Sequence, residues 1–157
     1  MFHQKECDLA LTLNKELIMK MSFASKNFQS ESTASGDEFE HIVIENLLSN
    51  GYINIETNVR IPDIGINVDY IAEKDNIREY GESKGGKSGG KKRPGAQRTD
   101  NVKKAICNGA LLKVKYPDAK YIIYFSARPK EGNSSDEMIK TAIECGYVDE
   151  VRYLEED

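Results

Sequence analysis

The spacing of apolar residues changes at Gly51, and this change constrains the fold more than any other feature of the chain. Before it, Phe39, Ile42, Val43 and Leu47 recur at helical intervals. After it, Ile53, Ile55, Val59 and Ile61 alternate with polar residues, as in a half-buried strand. Ser35 and Glu38 have capping-box spacing, which predicts a helix opening at Ser35 and stopped by Gly51. Pro62, Asp63 and Gly65 interrupt the first strand, and Ile66, Val68 and Tyr70 alternate with Asn67 and Asp69 in a second. Asp75-Asn76 suits a turn, although it lacks the glycine of the strongest hairpin signals. A third strand follows over Ile77 to Lys84.

Gly85 to Gly95 holds five glycines and Pro94, and reads as a loop. Helical spacing resumes after Thr99 with Val102, Ala105, Ile106 and Leu112. Tyr121 to Phe125 is a continuous apolar run suited to a central, fully covered strand. Ser134 and Glu137 form a second capping box before Met138, Ala142 and Ile143, with Gly146 as the stop, and Val148 to Leu154 supplies a last, more exposed strand. These elements predict an α/β domain over residues 36–157, with a mixed central sheet flanked by helices. Residues 1–35 read as an N-terminal helical extension and polar linker. In the extension, Leu9, Leu13, Leu17 and Met21 lie four residues apart, and Ser25 to Ser35 is polar. The apolar stripe suits packing on the main domain, on a partner subunit or on DNA alike.

A length of 157 residues fits one domain with a modest core. No apolar run approaches bilayer length, and the polar N-terminus does not resemble a secretory signal. The expectation is a cytoplasmic, nucleoid-associated protein, with no membrane and no secretion. Cys7, Cys107 and Cys145 are far apart and odd in number, which suits free thiols better than a disulfide framework or zinc site. The net charge of −4 hides an asymmetry: residues 84–104 carry +7 and the rest −11. A polyanion is drawn to that one stretch, although a solvated loop kept soluble by its lysines gives the same pattern.

The acids acquire meaning on these elements. Asp69 lies in the second strand and Glu82 near the end of the third, so hairpin pairing would let both carboxylates reach one point. Lys84, two residues beyond Glu82, projects to the same side of its strand. Two carboxylates and a lysine at a strand end suit phosphodiester hydrolysis. Oxygen ligands hold a hard cation such as Mg²⁺, and the lysine orients or deprotonates the water or stabilises transition-state charge.

With Asn67-Val68-Asp69-Tyr70-Ile71 followed by Tyr80-Gly81-Glu82-Ser83-Lys84, the chain resembles the PD-(D/E)XK nuclease superfamily, the restriction-endonuclease-like fold. The resemblance covers the order of elements from about Gly36 to Phe125. It implies metal ligation by Asp69 and Glu82 with help from the Ser83 carbonyl, a catalytic Lys84, and Mg²⁺ as cofactor with Mn²⁺ as substitute. Some members add an acidic ligand from the leading helix, for which Glu40 is best placed. The implied activity is DNA endonuclease action of restriction, homing or junction-resolving kind. Cutting both strands then requires a homodimer, a higher homo-oligomer, or two events.

Asp63, after Pro62, is an alternative first ligand. It precedes a glycine in a turn, whereas Asp69 sits within an apolar strand where a carboxylate needs a reason to exist. Gly81 to Ser88 spells the P-loop pattern GxxxxGK[ST], but Gly89, Gly90 and Pro94 then prevent the helix such a loop needs. For DNA, Lys87, Lys91, Lys92 and Arg93 suit phosphate contacts. Gln97 and Arg98 suit base edges or phosphate, while Lys103 and Lys104 suit the backbone beyond. His41 reads as a surface or partly packed histidine, and Tyr121 and Tyr124 as sheet packing. The competing readings are a nucleic-acid-binding module without activity and a P-loop-like nucleotide-binding protein.

Overall fold

The computed structural model describes residues 31–86 and 93–154, with side chains from Gly36 onward. The amphipathic stretch 6–21 and three of the expected phosphate contacts, Lys87, Lys91 and Lys92, lie outside the described residues. In chain order the elements are α1 (Glu31–Ser49), β1 (Ile53–Ile61), β2 (Ile66–Lys74), β3 (Ile77–Lys84), α2 (Thr99–Lys115), β4 (Lys120–Phe125), α3 (Ser134–Glu144) and β5 (Glu150–Tyr153). A short 3₁₀ turn, Gly95–Gln97, precedes α2. No helix among the described residues is long and apolar enough to cross a membrane.

The five strands form one sheet in the order β1-β2-β3-β4-β5. The first three pair antiparallel, and β4 and β5 add in parallel. This is the mixed α/β sheet expected from the sequence, in the order that the restriction-endonuclease-like resemblance implies. Helix α1 closes one face with Phe39, Val43 and Leu47 against Tyr52, Ile55, Tyr70, Ala72, Ile122 and Tyr124. Helices α2 and α3 close the other, with Val102, Ala105, Leu112, Ile139 and Ala142 packed on Ile71, Tyr121, Ile123 and Phe125. Because β4 is covered on both sides, Tyr121 to Phe125 is apolar at every position rather than alternating.

Two helix starts differ from the expectation. Helix α1 begins at Glu31, so Ser35 lies within it and is not its cap, and the end of the polar run is helical. At α3 the cap is Asn133, whose side chain accepts the Asp136 N–H at 3.0 Å, and Ser134 is the first helical residue. Asparagine caps as well as serine, so both spellings fitted the local pattern. The β2–β3 turn at Asp75-Asn76 holds without glycine: its two residues take φ of +52° and +62°, a left-handed conformation that Asp and Asn tolerate.

Candidate active site

The β2–β3 hairpin registers Tyr70 opposite Gly81, which brings Asp69 beside the end of β3. Oδ2 of Asp69 accepts the Ser83 N–H at 2.7 Å and the Ser83 hydroxyl at 3.2 Å. Lys84 Nζ then bridges the two strands, donating to Asp69 Oδ2 at 3.3 Å and to Glu82 Oε2 at 2.5 Å. Helix α2 supplies a further partner, Asn108, whose amide donates to Glu82 Oε1 at 2.7 Å. Asp69, Glu82 and Lys84 are thus brought together as the sequence suggested. Asn108 carried no sequence signal, because it lies in another element 26 positions away.

Burial dominates the electrostatics. Glu82 is 2% exposed, and burial together with the nearby Asp69 charge pushes its pKa up to about 7, against the opposing pull of Lys84 and Asn108. Burial alone would lower the pKa of Lys84, but the Glu82 and Asp69 carboxylates outweigh it and hold the ammonium above its ordinary range. Glu40, on α1, is also pushed up to about 7, by burial first, then by Asp69 and Asp37. Glu40 is exposed on α1, where water screens such effects, whereas Glu82 is shielded from it.

Glu40 and Asp69 line a cavity of about 400 Å³ between α1 and the sheet, together with Asp37, His41, Asn58 and Ser83. His41 therefore belongs to this cavity rather than to an unrelated surface, which the helical pattern alone did not reveal. Asn58 of β1 also lines it, from a backbone φ of +51° in the left-handed region that Asn tolerates. Asp63 is elsewhere: it sits at the exposed β1–β2 turn and accepts a hydrogen bond from the Tyr116 hydroxyl.

The donor set suits a hard divalent cation in kind. Its oxygens are those of carboxylates, and Asp69 adds to burial in disfavouring the charged forms of Glu82 and Glu40, a cost that a bound cation would relieve. Among the described residues, however, no three His, Cys, Asp or Glu side chains already stand close enough together to hold an ion. Between Asp69 and Glu82 the positive charge is the Lys84 ammonium.

The basic segment begins where the site ends. The Lys84 carbonyl accepts the Ser126 N–H at 3.2 Å. Gly95 packs so tightly on Ser126 and Ala127 that an added Cβ would lie 2.6 Å from the Ala127 nitrogen. The Gly95–Gln97 turn is thereby held beside the lysine strand, with Arg93 and Gln97 exposed. Arg98 ion-pairs with Asp100 at 3.0 Å, and Lys103 and Lys104 are exposed on α2. Of the P-loop spelling, Gly81 to Lys84 continues β3 and pairs with β4, while Lys87 and Ser88 lie outside the described residues; the next helical residues described are those of the Gly95–Gln97 turn.

On the α1 side of the sheet lies a buried polar cluster that sequence reasoning missed. Glu79, 1% exposed, accepts from Tyr52 at 2.9 Å, Tyr70 at 2.7 Å and Arg152 at 3.2 Å, and pairs with Lys120 at 3.3 Å. Arg152 also donates to the Tyr124 hydroxyl at 2.8 Å. The available signal was period-two spacing: Glu79 shares a strand face with Gly81, which has no room for a Cβ beside the Tyr70 ring.

No family model matches the chain, and no curated protein matches it. Among solved structures, the chain is similar to SfsA of Pyrococcus furiosus in complex with Ca²⁺, with a TM-score of 0.46 and 22% identity. The match covers 75% of this chain and 54% of that one, so the chain spans about half the length of that protein.

Proposed function

We propose that the chain is a Mg²⁺-dependent DNA endonuclease that hydrolyses phosphodiester bonds, with Asp69, Glu82 and Lys84 at its centre. The observation that carries this reading is the convergence of one lysine on two carboxylates from paired strands, beside a cavity lined by Asp69 and Glu40. Asp69 and Glu82, with the Ser83 carbonyl and Glu40, would hold Mg²⁺ or Mn²⁺. Such an ion, when bound, offsets phosphate charge and polarises water.

The chain's own groups do the rest. In the metal-free protein the two carboxylates hold the Lys84 ammonium above its ordinary range. As an ammonium it would donate to phosphate oxygens as negative charge grows on them. Asn108 occupies Glu82 Oε1 and leaves Oε2 to face the reacting centre. Arg93, Gln97, Arg98, Lys103 and Lys104, with Lys87, Lys91 and Lys92, would track the DNA backbone and fix its register. Attack by water would leave 5′-phosphate and 3′-hydroxyl ends. Each chain has one centre, so double-strand cutting calls for a homodimer.

The test is nicking of supercoiled plasmid in Mg²⁺ and in EDTA, with wild type beside Glu82→Ala. Cutting by wild type in Mg²⁺ alone is the expected result, and cutting in EDTA would overturn the mechanism. One finding favours a second reading, a binding module without hydrolysis: no ready-made group of three metal ligands exists among the described residues. DNA binding by a wild type that never nicks linear, supercoiled or branched DNA would support that module.

A further inference from the structure

The cavity between α1 and the sheet carries three acids in its walls, Asp37, Glu40 and Asp69, and among the described residues no lysine or arginine lines it. Its hydrogen-bond donors are few, and most are already engaged. The Ser83 N–H and hydroxyl both go to Asp69, and the Tyr70 hydroxyl goes to Glu79. Thr57 is not free either. Two donors remain. His41 and Asn58 line the cavity, and neither side chain has a hydrogen-bond partner among the described residues.

The backbone sets both of them there. Asp37, Glu40, His41 and Ile44 fall at i, i+3, i+4 and i+7, so a single face of α1 forms one wall. On β1, the pairs Thr57–Tyr70 and Val59–Val68 flank Asn58 and put it across the ladder from Asp69. His41 is half-buried and Asn58 exposed, so a ligand can reach both. An imidazole offers at least one N–H in either protonation state, and a primary amide offers two.

We propose that His41 and Asn58 donate hydrogen bonds to the non-bridging oxygens of the phosphate being cut, from the cavity side of Asp69. The inference rests on the nuclease reading and extends it to two further residues that touch the substrate. Lys84 meets Asp69 but is not part of the cavity wall, so the phosphate oxygens on the cavity side need other donors. Donors fixed in place before the reaction act most strongly as negative charge grows on those oxygens, so their effect falls mainly on rate. Affinity for DNA rests instead on the basic residues between Lys84 and Lys104.

The test is single-turnover nicking of plasmid at saturating protein in Mg²⁺, comparing wild type with His41→Ala, His41→Gln and Asn58→Gly. Glycine keeps the left-handed backbone of position 58, with its φ of +51°, and removes only the amide. Rates for His41→Ala and Asn58→Gly should each fall by about tenfold or more. DNA affinity in EDTA should stay within about threefold of wild type, and each variant should melt as cooperatively. His41→Gln keeps an N–H donor and should recover most of the lost rate. If wild type nicks and the two donor-free variants nick as fast, the inference alone is overturned. A His41→Gln rate as low as that of His41→Ala also overturns it, by assigning His41 to packing. A wild type that never nicks in Mg²⁺ overturns the nuclease reading and the inference with it.

Discussion

The Asn108 amide stands 2.7 Å from Glu82 Oε1 and ties the face of α2 to a carboxylate that is almost fully buried. Removing that donor leaves a buried carboxylate oxygen with one partner fewer, which costs about 1–3 kcal/mol. Asn108→Ala should therefore lower thermal stability and raise the Mg²⁺ concentration for half-maximal nicking several-fold, while DNA affinity stays within about twofold. A Mg²⁺ titration of the variant checks this, and an unchanged midpoint would show that Asn108 only fills space.

Asp69→Ala removes the acid that holds Ser83 and shares Lys84 with Glu82. Nicking should fall by about a thousandfold or more, in line with losses of electrostatic groups at reacting centres. DNA binding should persist or tighten, because a negative charge leaves the phosphate site. Gel shift beside a plasmid assay tests both halves. Asp63→Ala, which alters an exposed turn outside the cavity, should cut like wild type.

The pH dependence of stability has a definite sign. Glu82 has a folded pKa of about 7, above its ordinary value of 4.5, because burial disfavours its charged form. Its favourable contribution is present below the unfolded pKa and is lost as pH rises through about 7. Lys84, raised above 10.5, contributes constantly over this range and loses its contribution only in alkali. The stability of the metal-free protein should therefore fall between pH 5 and pH 8, by at most on the order of 3 kcal/mol, and its Tm should fall with it. Glu82→Gln should flatten the curve in a melting series, and an equally steep curve would remove Glu82 as its source.

DNA affinity should drop steeply with salt, with a log–log slope near −0.9 per phosphate neutralised. The Lys103→Ala, Lys104→Ala pair should make that slope shallower by up to about 2 units. Fluorescence anisotropy over a salt series measures it, and an unaltered slope would place these two lysines off the DNA.

Glu79→Ala should destabilise the fold by about 1–3 kcal/mol, since it takes the shared acceptor from the buried hydroxyls of Tyr52 and Tyr70, while Arg152 keeps its two bonds to Glu150. Urea melts test this, and a loss below about 0.5 kcal/mol would mean that water replaces the carboxylate.

The strands were legible because their code is local: alternation, a turn and a break define β2 and β3 within twenty residues. Asp69, Glu82 and Lys84 converge for the same reason, as members of one hairpin. Asn108 and His41 were not legible as site residues, since each reaches the site from a helix whose pattern reports only which face is apolar. Glu79 was hidden because a charge in a strand reads as solvent-facing until a helix is known to cover that side. The start of α1 was misplaced because Ser35 and Glu38 spell a cap equally well inside a helix or at its edge.

Asp75 and Asn76 are exposed, remote from the cavity, and left-handed. They nonetheless decide which residue of β2 meets which residue of β3, and a slip of one position sends every side chain of a strand to the opposite face. The chemistry is thus addressed from a distance, by counting along two strands from a surface corner. A single inserted residue at that corner can erase the site while leaving each of its members present, and the lineage of such a protein can lose its activity without a mark on the residues that perform it.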